Sequence, residues 1–344
     1  MRALVVHGAD DLRIDTVTDP VLAAGEVLVA MEWGGICGSD LTYWKKGASG
    51  TAVLKHPLVL GHEIAGHIVA LGAGVTDLAV GDAVTVHPSQ PVGDEPLPER
   101  LAGRTNLYPE IRYFGSAAFD PHTDGGFSEL RAVPADMIRV LPVGVDTLHG
   151  ALAEPFAVAL HAVSRAGDLR GRDVLVNGAG PIGSLVVAAA RYRGAASVTA
   201  VDIQDSALAV ARALGATTTL NVAAGDALPV DAEIVFETSG AAGVLGSVLH
   251  ATARGGTVIQ VGNLPGTPTP AAIGDLVTRE ITWIGSYRFV DEIDDALEAM
   301  AAGLDLSAVV THRFDLADAH EAMRVAADRS TGSSKVMLRL SDTQ

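Results

Sequence analysis

Cysteine is almost absent: Cys37 is the single one in 344 residues. No disulfide can close within such a chain, and the cytoplasm is the expected compartment. The opening stretch MRALVVHGAD lacks the basic-then-apolar order of a secretory leader. No apolar run reaches the about 20 residues that a membrane span needs. The longest candidate, around SLVVAAA, is short and follows a glycine-rich turn. Cations are scarce too, with 24 Lys and Arg against 41 Asp and Glu and a net charge of −17. That balance argues against nucleic acid and anionic membranes as partners. An acidic small-molecule substrate would have to be met by local cations rather than by the overall field.

What is present suffices for two domains, since 48% of the residues are hydrophobic. The first third reads as short strands (ALVV, EVLVAMEW, AGHIVALG, DAVTVH) punctuated by glycine and aspartate. The Pro-rich stretch HPSQPVGDEPLPERLAGRTNLYPE has no period and reads as a long surface loop or lobe. From about residue 150 strands and helices alternate: RDVLVNGAG, PIGSLVVAAARYRG, SVTAVD, QDSALAVARALGA, AEIVFETSG, AAGVLGSVLHATARGG, GTVIQVG, EITWIGSY. Alternation with apolar strands indicates α/β architecture, a doubly wound parallel sheet. Two amphipathic helices and a last strand, SKVMLRL, follow and can return to the first domain. A nucleotide-binding domain over 154–287 is therefore expected, inserted between 1–153 and 288–344.

VLVNGAGPIG places Gly178, Gly180 and Gly183 in G-x-G-x-x-G spacing between a strand and a helix. Such glycines serve a tight turn, close approach to a pyrophosphate and close helix–strand packing. Pro181 and Ile182 open the helix, whose N-terminus carries partial positive charge, and proline suits that position. Asp202 ends the next strand, where an acid accepts hydrogen bonds from ribose hydroxyls and repels a 2′-phosphate. No arginine follows it immediately, so NAD is read over NADP. The bland reading is a packing turn without a ligand.

In GHEIAGHIVALGAGV, His62 and Glu63 stand side by side before an apolar strand. Burying either without a partner is costly. Cys37, in GGICGSDLTYW, and Glu154, in LAEPFAVALHAV, complete a set of residue types that zinc accepts. Each also has an ordinary reading. A lone cysteine is often a small buried hydrophobe, and a glutamate before proline is often a helix-start carboxylate.

Taken in order, GGICGSDLTYW, HPLVLGHEIAGHIVALGAGV, VGDAV, DGGFSEL, LAEPFAVALHA, VLVNGAGPIG and THRF resemble the zinc-dependent medium-chain alcohol dehydrogenase family, in its polyol (sorbitol-type) branch. IRYFGSAAFDPHTDGGF resembles the corresponding region of the L-idonate 5-dehydrogenases. The resemblance implies a Rossmann domain inserted in a mostly β, GroES-like catalytic domain. It implies zinc ligands at Cys37, His62 and Glu63, with Glu154 ligating the metal or holding its water. Ser39 then matches the hydroxyl that passes the substrate proton outward, and Tyr43 and Arg288 match pocket positions. Thr42 stands where many relatives have histidine, so an outer proton relay has no imidazole there. Many relatives hold a structural zinc with four cysteines, at positions matching Val92, Glu95, Pro98 and Tyr108, none of which supplies a thiolate. One catalytic zinc and no structural zinc is the expectation. The resemblance implies NAD-linked oxidation of a secondary hydroxyl on a sugar acid, with Arg288 and Arg112 as candidate partners for its carboxylate. A sorbitol- or xylitol-type polyol dehydrogenase remains open, as does a zinc-free, quinone-reductase-like or NAD(P)-binding protein. A homo-oligomer, dimer or tetramer, is expected by analogy.

Overall fold

The computed structural model describes residues 1–93 and 95–341. Two compact units divide the chain. The first comprises Met1–Glu154, Met300–Ala302 and the chain from Val310 onward; the second comprises Pro155–Ala299 and Gly303–Val309.

The first unit is built on a seven-stranded sheet in which strand Glu26–Gly35 pairs with Glu63–Leu71, with Leu130–Pro134 and with the late strand Lys335–Arg339. Alternation explains the strand Glu26–Gly35: Val27, Val29 and Met31 face the core and are fully buried. The chain does return to the first unit at its end, as its sequence suggests. Two pairings set up the site. Gly35 lies opposite Glu63 and also opposite Met337, so the strands carrying Glu63 and Lys335 flank the same short segment. In the lobe, Ile111–Tyr113 pairs with Ser89–Pro91.

The second unit carries six parallel strands in the order Thr218–Asn221, Ser197–Asp202, Asp173–Asn177, Ala232–Glu237, Thr252–Gln260, Thr282–Gly285. This is the doubly wound sheet expected from the alternation, with its switch point beside Asp173–Asn177.

Four details differ from the sequence reading. Strand Thr218–Asn221 went unread because TTLN is polar and half-exposed at a sheet edge. The helix anticipated across AAGVLGSVLHATARGG ends at Ala251, and Thr252 already begins the next strand. The segments 288–299 and 303–309 belong to the second unit and not the first. Helix Glu292–Ala301 explains the former, because Glu292 meets the ring of buried His161 at 2.7 Å. The boundary near residue 154 falls on the far side of Glu154, leaving that carboxylate in the first unit. No helix among the described residues is long and apolar enough to cross a membrane.

Candidate functional site

Cys37 precedes the helix Gly38–Lys46, His62 sits in the bend before strand Glu63–Leu71, and Glu63 is that strand's first residue. Asp40 ties these segments together. Its buried carboxylate accepts from the Cys37 amide at 2.9 Å and from the Gly61 amide at 3.3 Å. The result is a trio: one ligand atom each from Cys37, His62 and Glu63, all within 4.8 Å of one another. Among the described residues no other group of three such side chains converges in this way.

The trio sits inside the protein. Glu63 is 1% exposed and His62 6%. Nζ of Lys335, itself 2% exposed, lies 2.7 Å from both carboxylate oxygens of Glu63, with hydrogen-bond geometry to Oε1. The ammonium also donates to the Ile36 carbonyl at 3.2 Å. Room for Glu63 comes from Gly35, where a Cβ would stand 2.2 Å from Oε2. Burial alone would lower the pKa of Lys335, but Glu63, Cys37 and Glu154 outweigh it and raise it.

Glu154 lies in the first turn of helix Ala153–Arg165. It is buried, and its Oε1 accepts from the Tyr113 hydroxyl at 2.6 Å. Burial raises its pKa, against the opposing pull of His62 and Tyr113. Glu154 is near the trio but outside the 4.8 Å group. Burial also works against a charged His62. The Cys37 sulfur, Asp40 and Glu154 overcome it and push the imidazole up to about 10.

Do these residues fit a zinc ion? His62 Nδ1 is buried with no hydrogen-bond partner, and buried Glu63 Oε2 has only the Lys335 ammonium, 2.7 Å away, beside it. A buried polar atom without a hydrogen bond is uncommon, and His62 Nδ1 is one that belongs to the converging trio. Sulfur, imidazole and carboxylate are the donor types of catalytic zinc sites. The raised His62 pKa says the same thing electrostatically, since the surrounding groups favour a positive charge at their centre. The residues fit.

Other anticipated site residues fall as follows. Ser39 is half-buried on the helix that Cys37 opens. Thr42, on the same helix, donates to the Ser39 carbonyl at 2.8 Å and approaches Ser49 Oγ at 3.3 Å. Tyr43 is buried, and its hydroxyl accepts from the Ala117 amide at 2.9 Å. Arg112 alternates with Ile111 and Tyr113 on one strand and so points to the opposite face from Tyr113. Its guanidinium lies 4.7 Å over the Phe119 ring and donates to the Pro121 carbonyl at 3.2 Å. The structure therefore does not bring Arg112 to the trio. Arg288 belongs to the second unit, with a left-handed backbone (φ 50) and its guanidinium 4.9 Å over Tyr287. In the lobe, Val92 donates to the Glu110 carbonyl at 2.9 Å, Pro98 accepts from Leu101 at 2.7 Å, and the Tyr108 hydroxyl donates to the Glu95 carbonyl.

The nucleotide turn takes the expected form. Gly178 has φ 94, and a Cβ on Gly183 would stand 1.8 Å from the Gly178 carbonyl oxygen. Pro181 begins helix Pro181–Tyr192, with Gly180 as its N-cap and Ile182 behind it. A Cβ on Gly180 would meet nothing within 4 Å, so the approach to the helix N-terminus is open. Asp202 is held by amides of Ala179 at 2.7 Å, Ile203 at 2.7 Å and Gln204 at 3.0 Å. These residues fit a dinucleotide.

Three groups escaped the sequence reading: Asp40, Lys335 and Tyr113. A signal existed for Asp40, which stands three residues after Cys37 and caps the helix reciprocally.

Comparisons with known proteins agree. Residues 23–143 match the alcohol dehydrogenase GroES-like domain, and 181–302 match the zinc-binding dehydrogenase model. L-idonate 5-dehydrogenase (NAD(P)(+)) of Escherichia coli K12 is 34% identical over 90% of this chain and 91% of its own. Sorbitol dehydrogenase of Gallus gallus is 36% identical over 99% of this chain and 97% of its own. The crystal structure of the E. coli L-idonate 5-dehydrogenase superposes with a TM-score of 0.91 at 32% identity, covering 98% of this chain and 97% of that one. A Sinorhizobium meliloti protein solved with NADP gives a TM-score of 0.88 at 30% identity, covering 98% of both chains.

Proposed function

This chain belongs to the zinc-binding, medium-chain alcohol dehydrogenase family, and from that premise we propose that it oxidises a secondary hydroxyl of a sugar acid, L-idonate at C5, using NAD. The observation that carries the reading of the site is the convergence of Cys37, His62 and Glu63, with His62 Nδ1 buried and without a hydrogen-bond partner. Bound zinc supplies Lewis-acid polarisation of the substrate hydroxyl, and bound NAD supplies the hydride acceptor.

The chain's own residues do the rest. Cys37, His62 and Glu63 hold the ion, and Lys335 balances the Glu63 charge. Glu154 holds a water or completes the ligand set. Ser39, beside Cys37 on the helix, takes the substrate proton outward, and Tyr43 walls the pocket. The turn at Gly178, Gly180, Pro181, Ile182 and Gly183 takes the pyrophosphate and Asp202 the ribose. The negative Asp202 favours NAD over NADP, although the E. coli relative is named for both. One zinc per chain follows from the lobe, where no thiolate stands at Val92, Glu95, Pro98 or Tyr108.

The sugar-acid reading rests on IRYFGSAAFDPHTDGGF and on the idonate relative. The polyol reading has its own support: the sorbitol relative is equally similar, and Arg112 is engaged elsewhere. Arg288 is then the candidate partner for a carboxylate, with bidentate geometry suited to the task. The test compares kcat/KM for L-idonate and sorbitol in wild type and Arg288→Ala. Loss of a charge-assisted hydrogen bond costs about 1.5–3 kcal/mol, roughly tenfold to a hundredfold. The sugar-acid reading expects that loss for L-idonate alone. Wild-type preference for sorbitol would favour the polyol reading, and equal losses would remove Arg288 as the carboxylate partner.

A further inference from the structure

Tyr113 reaches the site from the lobe, a part of the chain that supplies no member of the trio. It is 6% exposed, and its hydroxyl donates to Glu154 Oε1 at 2.6 Å. That separation lies in the range of charge-assisted O–H···O⁻ bonds. The same ring meets the His62 imidazole edge-on, with centroids 5.5 Å apart and planes at 65°. One aromatic side chain therefore touches both a ligand of the trio and the carboxylate beside it. Its backbone is fixed in turn by the pairing of Tyr113 with Ser89.

We propose that Tyr113 is a positioning residue that limits Glu154 to presenting a single oxygen to the metal site. The proposal rests on the zinc reading above. A glutamate's last torsion is broad, so an untethered carboxylate can turn and offer either oxygen or both. The Tyr113 bond opposes that turn, because swinging Oε1 towards the ion breaks it. Packing against His62 keeps the phenol from following. The lobe thereby governs how many ligands the site can gather, through one hydroxyl and without contributing a ligand itself.

Removing only the hydroxyl tests this. Tyr113→Phe keeps the ring and its contact with His62. The probe is the cobalt(II)-substituted protein, whose visible d–d absorption is strong with four ligands and weaker with five. Tyr113→Phe is expected to lose d–d intensity relative to wild type as Glu154 turns in. In a Glu154→Ala background the same substitution is expected to change nothing, since no carboxylate remains to be held. An unchanged spectrum in Tyr113→Phe overturns the proposal and leaves Tyr113 as packing. A change that persists without Glu154 also overturns it, because Tyr113 would then act through His62. Failure of the wild type to take up cobalt would strike the zinc reading itself, an outcome distinct from both.

Discussion

Lys335→Met removes the ammonium and keeps an unbranched apolar stem. Glu63, 1% exposed, then loses the ammonium that lies 2.7 Å from its oxygens, and in the metal-free protein only the His62 imidazole remains beside it to carry positive charge. Breaking a buried pair by removing one partner costs about 3–5 kcal/mol. For a unit of roughly 150–250 residues each kcal/mol moves Tm by about 2–4 °C. The metal-free first unit should therefore melt about 6–20 °C lower than wild type. Zinc replaces the missing positive charge, so saturating zinc should recover much of the difference. A companion Glu63→Gln/Lys335→Met variant, with no buried charge to strand, should melt well above Lys335→Met alone. The assay is differential scanning calorimetry on chelator-dialysed and zinc-loaded samples, following the first unit's transition. A metal-free Lys335→Met that melts with wild type would refute the reasoning, because Glu63 would not then be a buried charge relying on Lys335.

Elemental analysis should find one zinc per chain, and Cys37→Ser should lose both the metal and activity, because a weak hydroxyl ligand replaces a thiolate; two tightly held ions per chain would contradict the reading of the lobe. Asp202→Ala should narrow the preference for NAD, by weakening ribose binding and removing repulsion of a 2′-phosphate, as measured by kcat/KM with each cofactor. Zinc affinity should rise with pH. His62 holds its proton up to about 10 in the metal-free fold, so the ion must displace that proton throughout the neutral range. Competition titrations should show at least about a tenfold gain per pH unit between about pH 6 and pH 8, more where the Cys37 thiol also gives up its proton to ligate, and a flat profile would mean that His62 holds no proton to displace.

The convergence of Cys37, His62 and Glu63 was legible because its chemistry is local. An adjacent His62 and Glu63 before an apolar strand is poor core material, and the one cysteine stands in a glycine-flanked bend. The nucleotide turn was legible for a similar reason, since strand, glycines, helix and acid follow one another within one βαβ unit. Lys335 was not, because it pairs with Glu63 across 272 residues. In SKVMLRL a lysine at a strand's first position looks like an ordinary solvated end. Tyr113 was hidden by its setting, a three-residue strand in an aperiodic lobe where no pattern says which side chain turns inward. The same short strand misled the reading of Arg112, whose neighbour takes the inward face. The placement of 288–299 follows contacts such as His161 with Glu292 and Arg193 with Asp295, which no local signal announces.

The pairing of Lys335 with Glu63 also has a consequence in time. A ribosome working from the N-terminus makes the three side chains of the trio early and the lysine that pairs with Glu63 272 residues after it. At about 5–20 residues per second, that interval is roughly 15–55 s. Throughout it the nascent chain carries the Cys37 thiol, the His62 imidazole and the Glu63 carboxylate without the Lys335 ammonium that pairs with Glu63 in the fold. Metal captured in that window would meet a site still open on one side. Metal delivered afterwards meets one closed by the last strand to be synthesised, and maturation by the two routes should differ in rate.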